Sequence, residues 1–221
     1  MRQPLMERIR VLVVDDHTLV RQGLRCILES DPDIEIIGEA PDGRAAVDVV
    51  DRLHPDVVVM DLTLPELNGI EATRRIVRRH KDTKVLILTM HRDEVFVRQS
   101  LRAGARGYLV KDAEDIDLLK AVKVIGRGGS FFNADVSRML LRDYLGEDGN
   151  KDFDDDLSRL TDREREILQL IAEGKTNGEI ATVLTLSPNT VETHRKQIMK
   201  KLDLHKTADL VRFAIRKQVV S

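Results

Sequence analysis

The chain has 221 residues, of which 33% are charged, 42% are hydrophobic and only 3% are aromatic. This composition is typical of a globular protein with an aliphatic core, and no stretch approaches the ~20 apolar residues of a membrane span. The single cysteine, Cys26, excludes an intramolecular disulfide, and its place in an apolar helical pattern predicts that it is buried. Because residues 1–10 are polar and no signal-peptide-like run follows them, we expect a cytoplasmic protein with no membrane association.

The charge is distributed unevenly along the chain. The net charge is −2, but residues 157–221 carry 12 Lys and Arg against 8 Asp and Glu, which gives +4. The rest of the chain therefore carries −6. A basic end on an acidic body indicates that only this end meets a polyanion such as nucleic acid.

Short apolar runs alternate with segments of helix length in the first part of the chain. The predicted strands are Ile9–Val14, Ile34–Glu39, Asp56–Met60, Lys84–Leu88 and Gly107–Val110. Continuous apolar runs of this kind are typical of strands that are buried on both faces. Five strands that alternate with helices predict an α/β fold with a doubly wound parallel sheet, in which ligands bind at the carboxyl ends of the strands.

The pattern changes after Gly128-Gly129. A helix is predicted from Asn133 to Leu145, and a polar, acidic run follows it up to Asp156. Beyond this run the pattern is purely helical. We therefore predict a first domain at 1–128, a partly helical linker at 129–156 and a small all-α domain at 157–221.

Polar side chains follow four of the predicted strands. Asp15 and Asp16 follow the first strand, Asp61 the third, Thr89 the fourth and Lys111 the fifth. Clustered carboxylates repel one another unless a cation lies among them, and oxygen ligands suit Mg²⁺. One of the carboxylates can attack a phosphoryl group, while the metal and Lys111 neutralise its oxygens and Thr89 donates a hydrogen bond.

These residues carry a resemblance to a known family. The matching motifs are Asp15-Asp16, Asp61-Leu62-Thr63-Leu64-Pro65, Asn68-Gly69, Thr89 and Lys111. Over about the first 125 residues they resemble the flavodoxin-like receiver domain of two-component response regulators. The resemblance implies that Asp61 accepts a phosphoryl group from a cognate sensor histidine kinase. It implies a Mg²⁺ site formed by Asp15, Asp16, Asp61 and the backbone carbonyl of Thr63. It also implies a switch, in which Thr89 moves toward the phosphoryl group and Tyr108 turns inward behind it.

Helix signals organise the C-terminal part. Thr161–Glu164 and Thr176–Glu179 have the sequence of capping boxes, and Ser187 precedes a third helix with Pro188 at its first position. A last helix is predicted from about Lys206 to Lys217. A short helix, a tight turn and a longer polar helix predict a helix-turn-helix.

The third helix of this part has two faces. Val191, His194, Ile198 and Leu202 form an apolar inner stripe at helical spacing, on which His194 is predicted to be a packed residue rather than a metal ligand. The outer side offers groups that read base edges or bind phosphate. The candidate DNA-contacting residues are Asn189, Thr190, Glu192, Thr193, Arg195, Lys196 and Lys200.

Residues 157–217 resemble the LuxR-type helix-turn-helix, through Leu160–Glu164, Gly174, Ile180-Ala181, Ser187–Val191, His194 and Lys201-Leu202. Together the two resemblances indicate the NarL/FixJ subfamily of response regulators. They imply a transcription factor that forms a homodimer when phosphorylated, binds double-stranded promoter DNA and contacts RNA polymerase. Many relatives carry Lys where this chain has Glu192, so the operator sequence stays open.

Three alternative functions share some of these features. A haloacid-dehalogenase-type phosphatase also uses an Asp nucleophile, but it needs a second Asp two residues later, where this chain has Thr63. A nucleotide-binding protein would need a Gly-rich loop after the first strand, which is missing. A receiver that partners regulate without phosphorylation keeps the architecture but commonly loses part of the acidic site. We therefore predict a regulator and not an enzyme.

Overall fold

The structure, a computed structural model, describes residues 8–112, 115–145, 156–217 and 219–220. Contacts divide the chain into two compact units, residues 1–147 and 148–221. The first unit is α/β and the second is entirely helical. Most of the acidic run that was predicted to link them, residues 146–155, lies outside the described residues.

The first unit is built on a parallel sheet. Its strands are β1 (Ile9–Val14), β2 (Ile34–Ala40), β3 (Val57–Met60), β4 (Lys84–Thr89), β5 (Gly107–Val110) and β6 (Phe131–Phe132). Its helices are α1 (Thr18–Glu29), α2 (Gly43–Leu53), α3 (Gly69–Arg79), α4 (Glu94–Ala103), α5 (Asp115–Gly126) and α6 (Ala134–Leu145). The strand order is β2-β1-β3-β4-β5-β6, so the predicted doubly wound sheet is confirmed.

Each face of the sheet has its own hydrophobic core. Leu12 and Val14 point to the face covered by α2, α3, α4 and α6, whereas Val11 and Val13 point to the face covered by α1 and α5. Because successive side chains of a strand point to opposite faces, a strand between two helical layers must be apolar throughout. This explains the continuous Val-rich runs and fixes the edge at which the polar residues appear.

The sheet has a sixth strand, where five were predicted. Phe131 pairs with Gly107 and Phe132 pairs with Tyr108, so β6 covers the edge of β5. A strand of two residues is too short to show a periodic pattern in the sequence. Its formation leaves fewer unpaired backbone groups on β5.

Residues that were predicted to belong to the linker pack on the first unit. Asn133 accepts a hydrogen bond from the amide of Val136 and so begins α6. Val136 and Met139 are buried in the same core as α4, and Arg142 lies 3.1 Å from Glu94. The predicted helix is confirmed, and it is an integral layer of the α/β unit.

The prediction that Cys26 is buried is wrong. Cys26 is a free, exposed cysteine on α1. The buried face of α1 is formed by Leu24 and Leu28, which are four residues apart. At 100° per residue, Cys26 is about 200° from each of them around the helix axis and therefore faces outward.

The second unit has its own core. After a 3₁₀ turn at Asp156–Arg159, its helices are α7 (Asp162–Ala172), α8 (Asn177–Leu184), α9 (Pro188–Lys201) and α10 (Thr207–Arg216). Both predicted capping boxes are present, at the starts of α7 and α8. The core includes residues of all four helices. No helix in the described part of the chain has the length and apolarity required to cross a membrane.

Candidate functional site

Three charged side chains meet at the carboxyl edge of the sheet. Asp15 follows β1, Asp61 follows β3 and Lys111 follows β5. The ammonium of Lys111 donates to Asp15 Oδ2 at 2.6 Å and lies 3.0 Å from Asp61 Oδ2. Val14 pairs with Met60 across β1 and β3, and the strand order reverses at β1. The three residues therefore lie at the switch point where doubly wound folds bind ligands.

Burial sets the electrostatics of this pocket. The Asp15 and Asp61 side chains are only 1% and 8% exposed. Desolvation raises the pKa of Asp61 above its usual value, although the neighbouring Lys111 opposes the shift. Desolvation also disfavours the Lys111 ammonium, but its contacts with Asp15 and Asp61 outweigh this effect and raise the pKa of Lys111. The single ammonium of Lys111 thus contacts two buried carboxylates. Because the negative charge of the pocket exceeds the positive charge, the pocket suits a further cation.

An acidic group continues from this pocket into the loop after β1. The ligand atoms of Asp15, Asp16 and His17 all lie within 4.8 Å of one another. His17 Nδ1 is 2.7 Å from Asp16 Oδ1, and the His17 amide donates to Asp15 Oδ1 at 2.8 Å. The carboxylates suit Mg²⁺, whereas the imidazole suits softer metals. His17 was not predicted, although it directly follows Asp15-Asp16 in the sequence.

The two predicted switch residues meet at the loop after β4. The buried Thr89 hydroxyl accepts a hydrogen bond from the His91 amide at 3.3 Å, and the Tyr108 hydroxyl donates to the His91 carbonyl at 2.9 Å. Tyr108 points inward, and burial raises its pKa. The exposed Thr63 hydroxyl is 3.0 Å from His91 Nε2. His91, which was not predicted, therefore connects Thr89, Tyr108 and Thr63 through one short loop.

The backbone after β3 is packed too closely for a side chain at Gly69. The Leu62 amide donates to Asp61 Oδ1 at 2.8 Å, and the Gly69 amide donates to the Leu62 carbonyl at 2.9 Å. A Cβ on Gly69 would lie 1.9 Å from the Asp61 carbonyl oxygen. Asn68 begins α3 by accepting from the Glu71 amide. The Asn68-Gly69 pair thus closes the loop that holds Asp61.

The second unit contains the predicted helix-turn-helix. α8 ends at Thr185, which adopts a left-handed conformation with φ 53°. Ser187 then begins α9 by accepting from the Thr190 amide. Val191 and Ile198 are fully buried, so this side of α9 faces the core and the other side is available for a ligand.

The candidate DNA-contacting residues lie away from that buried stripe to different degrees. Asn189, Thr193, Lys196 and Lys200 are exposed, and Thr190, Glu192 and Arg195 are partly buried. His194 and Leu202 of the predicted inner stripe are partly buried as well. Arg195 and Glu192 both contact Asn177 of α8, a residue that was not predicted.

An α/β unit with this acidic pocket, followed by a helix-turn-helix unit, defines the two-component response regulators. The family described as the response regulator receiver domain matches residues 11–123, and the LuxR family of bacterial regulatory proteins matches residues 158–214. The chain belongs to these families and is a response regulator of the NarL/FixJ type. Proteins that contain this receiver domain typically bind Mg²⁺ in an acidic pocket.

Relatives match along nearly the whole chain. The oxygen regulatory protein NreC of Staphylococcus carnosus is 39% identical over 96% of this chain and 99% of its own length. The transcriptional regulatory protein LiaR of Bacillus subtilis is 40% identical over 96% of this chain and 100% of its own. The response regulator RcsB of Salmonella typhimurium has a TM-score of 0.58 at 29% identity, covering 96% of this chain and 100% of that one. The chain is therefore a regulator that controls transcription, and not an enzyme.

Proposed function

We propose that Asp61 accepts a phosphoryl group from a sensor histidine kinase and that this modification controls binding to promoter DNA. The observation that carries the proposal is the contact of one ammonium, that of Lys111, with the carboxylates of both Asp15 and Asp61. A capping role explains an acidic residue at one strand end, but it does not explain a partly buried ammonium held between two buried carboxylates.

The proposed transfer is a displacement at phosphorus. A carboxylate oxygen of Asp61 attacks the phosphorus atom of a phosphohistidine, the O–P bond forms and the N–P bond breaks. The imidazole of the kinase leaves and takes up a proton from solvent. Because Lys111 already lies 3.0 Å from Asp61 Oδ2, its ammonium can neutralise an oxygen of the transferred group. The buried hydroxyl of Thr89 is the second donor from this chain.

We propose Mg²⁺ as the cofactor, held by Asp15, Asp16, Asp61 and the backbone carbonyl of Thr63. These donors are hard oxygen ligands, and two buried carboxylates face the single, partly buried ammonium of Lys111. When bound, the cation supplies positive charge for the phosphoryl oxygens.

The switch is proposed to act through the loop at His91. A phosphoryl group on Asp61 adds acceptor oxygens to which the Thr89 hydroxyl can donate, and turning toward them draws this hydroxyl away from the His91 amide. Thr89 then releases the His91 amide, and the same loop carries the carbonyl that Tyr108 contacts. Phosphorylation thereby shifts an existing conformational equilibrium of the protein toward a dimer that binds DNA.

In the second unit, α9 is proposed to enter the major groove of promoter DNA and to contact it through the seven candidate DNA-contacting residues. The LuxR-type domain and a DNA complex of the neighbour RcsB, at 27% identity and a TM-score of 0.57, support this proposal. We place the receiver at 1–128 and the DNA-binding domain at 157–221, and of the predicted linker at 129–156 the elements β6 and α6 belong with the receiver. RNA polymerase is the further partner, and the cytoplasm, where the DNA lies, is the compartment.

The test compares four samples: wild type and Asp61→Asn, each with and without beryllium fluoride plus Mg²⁺. The fluoride adduct stands in for the phosphoryl group on an aspartate. Dimerisation is measured by light scattering, and binding is measured on a library of genomic DNA fragments. We expect beryllium fluoride plus Mg²⁺ to increase dimerisation and DNA binding in the wild type and not in Asp61→Asn. Glu35→Gln, which removes an exposed carboxylate of β2, is the control and should respond as the wild type does.

Two outcomes separate the parts of the proposal. Equal DNA binding in all samples would leave a transcription factor without phosphorylation control, that is, a receiver regulated by partners. Dimerisation without any enrichment of DNA fragments would contradict the assignment of α9.

A further inference from the structure

A small polar network joins three helices of the second unit beside the outer side of α9. The Asn177 amide nitrogen donates to Glu192 Oε2 at 2.9 Å, and the Asn177 amide oxygen accepts from Arg195 at 2.7 Å. A second nitrogen of the Arg195 guanidinium donates to the Thr207 hydroxyl at 2.9 Å. The network therefore fixes two side chains of α9 by residues from α8 and α10.

The chemistry of the partners determines the orientation of the Asn177 amide. An ionised carboxylate only accepts hydrogen bonds and a guanidinium only donates them. A flipped amide would place its oxygen against Glu192 and its NH₂ against Arg195, so both contacts would be lost. Asn177 thus holds the Glu192 carboxylate at one place relative to the α9 axis.

Glu192 lies where a recognition helix reads bases. It is in the second turn of α9, and the N-terminal part of such a helix contacts base edges in the major groove. Its side chain is 46% exposed, and Asn177 uses only one of about four acceptor positions of the carboxylate. Lys196 lies 3.9 Å away and moderates the repulsion between this carboxylate and DNA phosphates.

An acceptor-only group distinguishes the four bases in the major groove. Guanine presents two acceptors there, thymine an acceptor and a methyl group, and adenine an acceptor next to its amino group. Cytosine alone presents a donor without a neighbouring acceptor on the same base. A carboxylate held at a fixed position therefore favours cytosine over the other bases.

We propose that Glu192 is a specificity-determining residue that selects one cytosine in each half-site, and that Asn177 is a positioning residue that holds it there. The proposal rests on the proposed DNA binding by α9. Arg195, with guanidinium N–H groups beyond the two that are engaged, remains able to contact a phosphate on the same strand.

The experiment selects sites from a randomised double-stranded DNA library with the full chain, activated by beryllium fluoride and Mg²⁺. We expect the wild type to enrich a motif with C·G at one position of each half-site. Glu192→Gln should change that position to A·T, because an amide side chain matches adenine, and leave the other positions unchanged. Gln197→Ala, an exposed residue of the same helix, is the control and should return the wild-type motif.

A second variant tests the positioning role. Asn177→Asp keeps an oxygen for Arg195 but replaces the donor to Glu192 by a repelling oxygen, and an acidic residue is favourable at the first position of α8. We expect the preference for cytosine at that position to fall about tenfold, with the rest of the motif retained. A purely structural role of Asn177 would lower the affinity for all sequences alike.

The outcomes are distinguishable. If Glu192→Gln returns the wild-type motif at every position, the selection of cytosine by Glu192 is wrong while DNA binding stands. If Asn177→Asp returns the wild-type motif while Glu192→Gln changes it, the positioning role of Asn177 is wrong. If the wild type enriches no motif, the proposed function of α9 fails, and this inference fails with it.

Discussion

Lys111 is the residue on which the acidic pocket depends most. In Lys111→Met, the carboxylates of Asp15 and Asp61 remain buried without their shared cation, which leaves an uncompensated charge. We expect a loss of about 3 kcal/mol in the free energy of unfolding of the first unit at neutral pH without Mg²⁺. The loss should shrink as Mg²⁺ is added, because a divalent cation replaces the missing charge and binds more tightly to the variant. Urea unfolding across a Mg²⁺ titration measures both effects.

Lys120→Met is the matched control, since Lys120 is 59% exposed on α5 and lies 4.0 Å from Asp117. Exposed ion pairs contribute little, so this variant should unfold within about 0.5 kcal/mol of the wild type at every Mg²⁺ concentration. A Lys111→Met protein whose stability deficit ignores Mg²⁺ would contradict the proposed metal site.

Single residues differ in how far the sequence determines their place. Asp15, Asp61 and Lys111 could be predicted, because each directly follows a strand and parallel strands end at one edge. His91 and Asn177 could not, because their contacts depend on side-chain rotamers and on a loop or helix that is distant in sequence from its partner. Burial of Cys26 was predicted wrongly from an apolar pattern whose buried stripe lies on the opposite side of α1.

At the scale of secondary-structure elements, the start of α3 holds the loop of Asp61 through Gly69. In Gly69→Ala the new methyl group meets backbone atoms of Asp61 and Leu62, which cannot move aside as a flexible side chain can. We expect a loss of about 3 kcal/mol of stability and a weaker beryllium fluoride adduct, because the loop must shift. Urea unfolding and adduct formation followed by fluorine NMR measure the two effects.

Gly23→Ala separates this steric effect from the general effect of replacing glycine. Gly23 lies inside α1, and no heavy atom beyond its chain neighbours and the adjacent helix backbone lies within 4 Å of an added Cβ. This variant should therefore gain about 0.5–1 kcal/mol through helix propensity and form the adduct normally. A Gly69→Ala protein that behaves like Gly23→Ala would show that the loop tolerates the methyl group.

A pH-dependent contact joins α7 to α9. The Glu164 side chain, 3% exposed, accepts from Lys201 at 2.6 Å and from the Thr161 amide at 2.7 Å. Desolvation opposes ionisation, but the contacts with Lys201 and Thr161 prevail and lower the pKa of Glu164 below its usual 4.5. The stabilisation is therefore complete above pH 4.5 and is lost as the pH falls through the lower, folded-state pKa.

Glu164→Gln should accordingly destabilise the second unit by about 1 kcal/mol at pH 7. The difference from the wild type should shrink as the pH falls below 4.5. Urea unfolding that is followed on the amide NMR signals of α7 measures it in the intact chain. A difference that stays constant down to pH 3 would mean that the charge of Glu164 contributes nothing and that only its shape matters.

Long, strongly patterned elements could be predicted well and short ones could not. Ile9–Val14 and Gly107–Val110 have the predicted bounds, and both capping boxes begin their helices as expected. The strand Phe131–Phe132 was missed, because two residues carry no periodicity and its pairing is decided by the free edge of β5. The pattern of α6 predicted a helix but not that Val136 and Met139 would complete the core of the first unit.

For the whole molecule, the separation of charge matters more than its sum. The chain carries −2 in total, but residues 157–221 carry +4, and Lys196 and Lys200 of α9 are exposed. DNA binding should therefore weaken steeply with salt, because each neutralised phosphate releases counterions.

Lys196→Ala and Lys200→Ala should each lower the slope of log K against log salt by about 1, without a change in sequence preference. Glu35→Gln, on the first unit, should leave the slope unchanged. Fluorescence anisotropy at a series of salt concentrations measures the slopes. If the Glu35 variant altered the slope as much as the lysine variants did, binding would follow the total charge of the chain, and α9 would not be the surface that meets the phosphates.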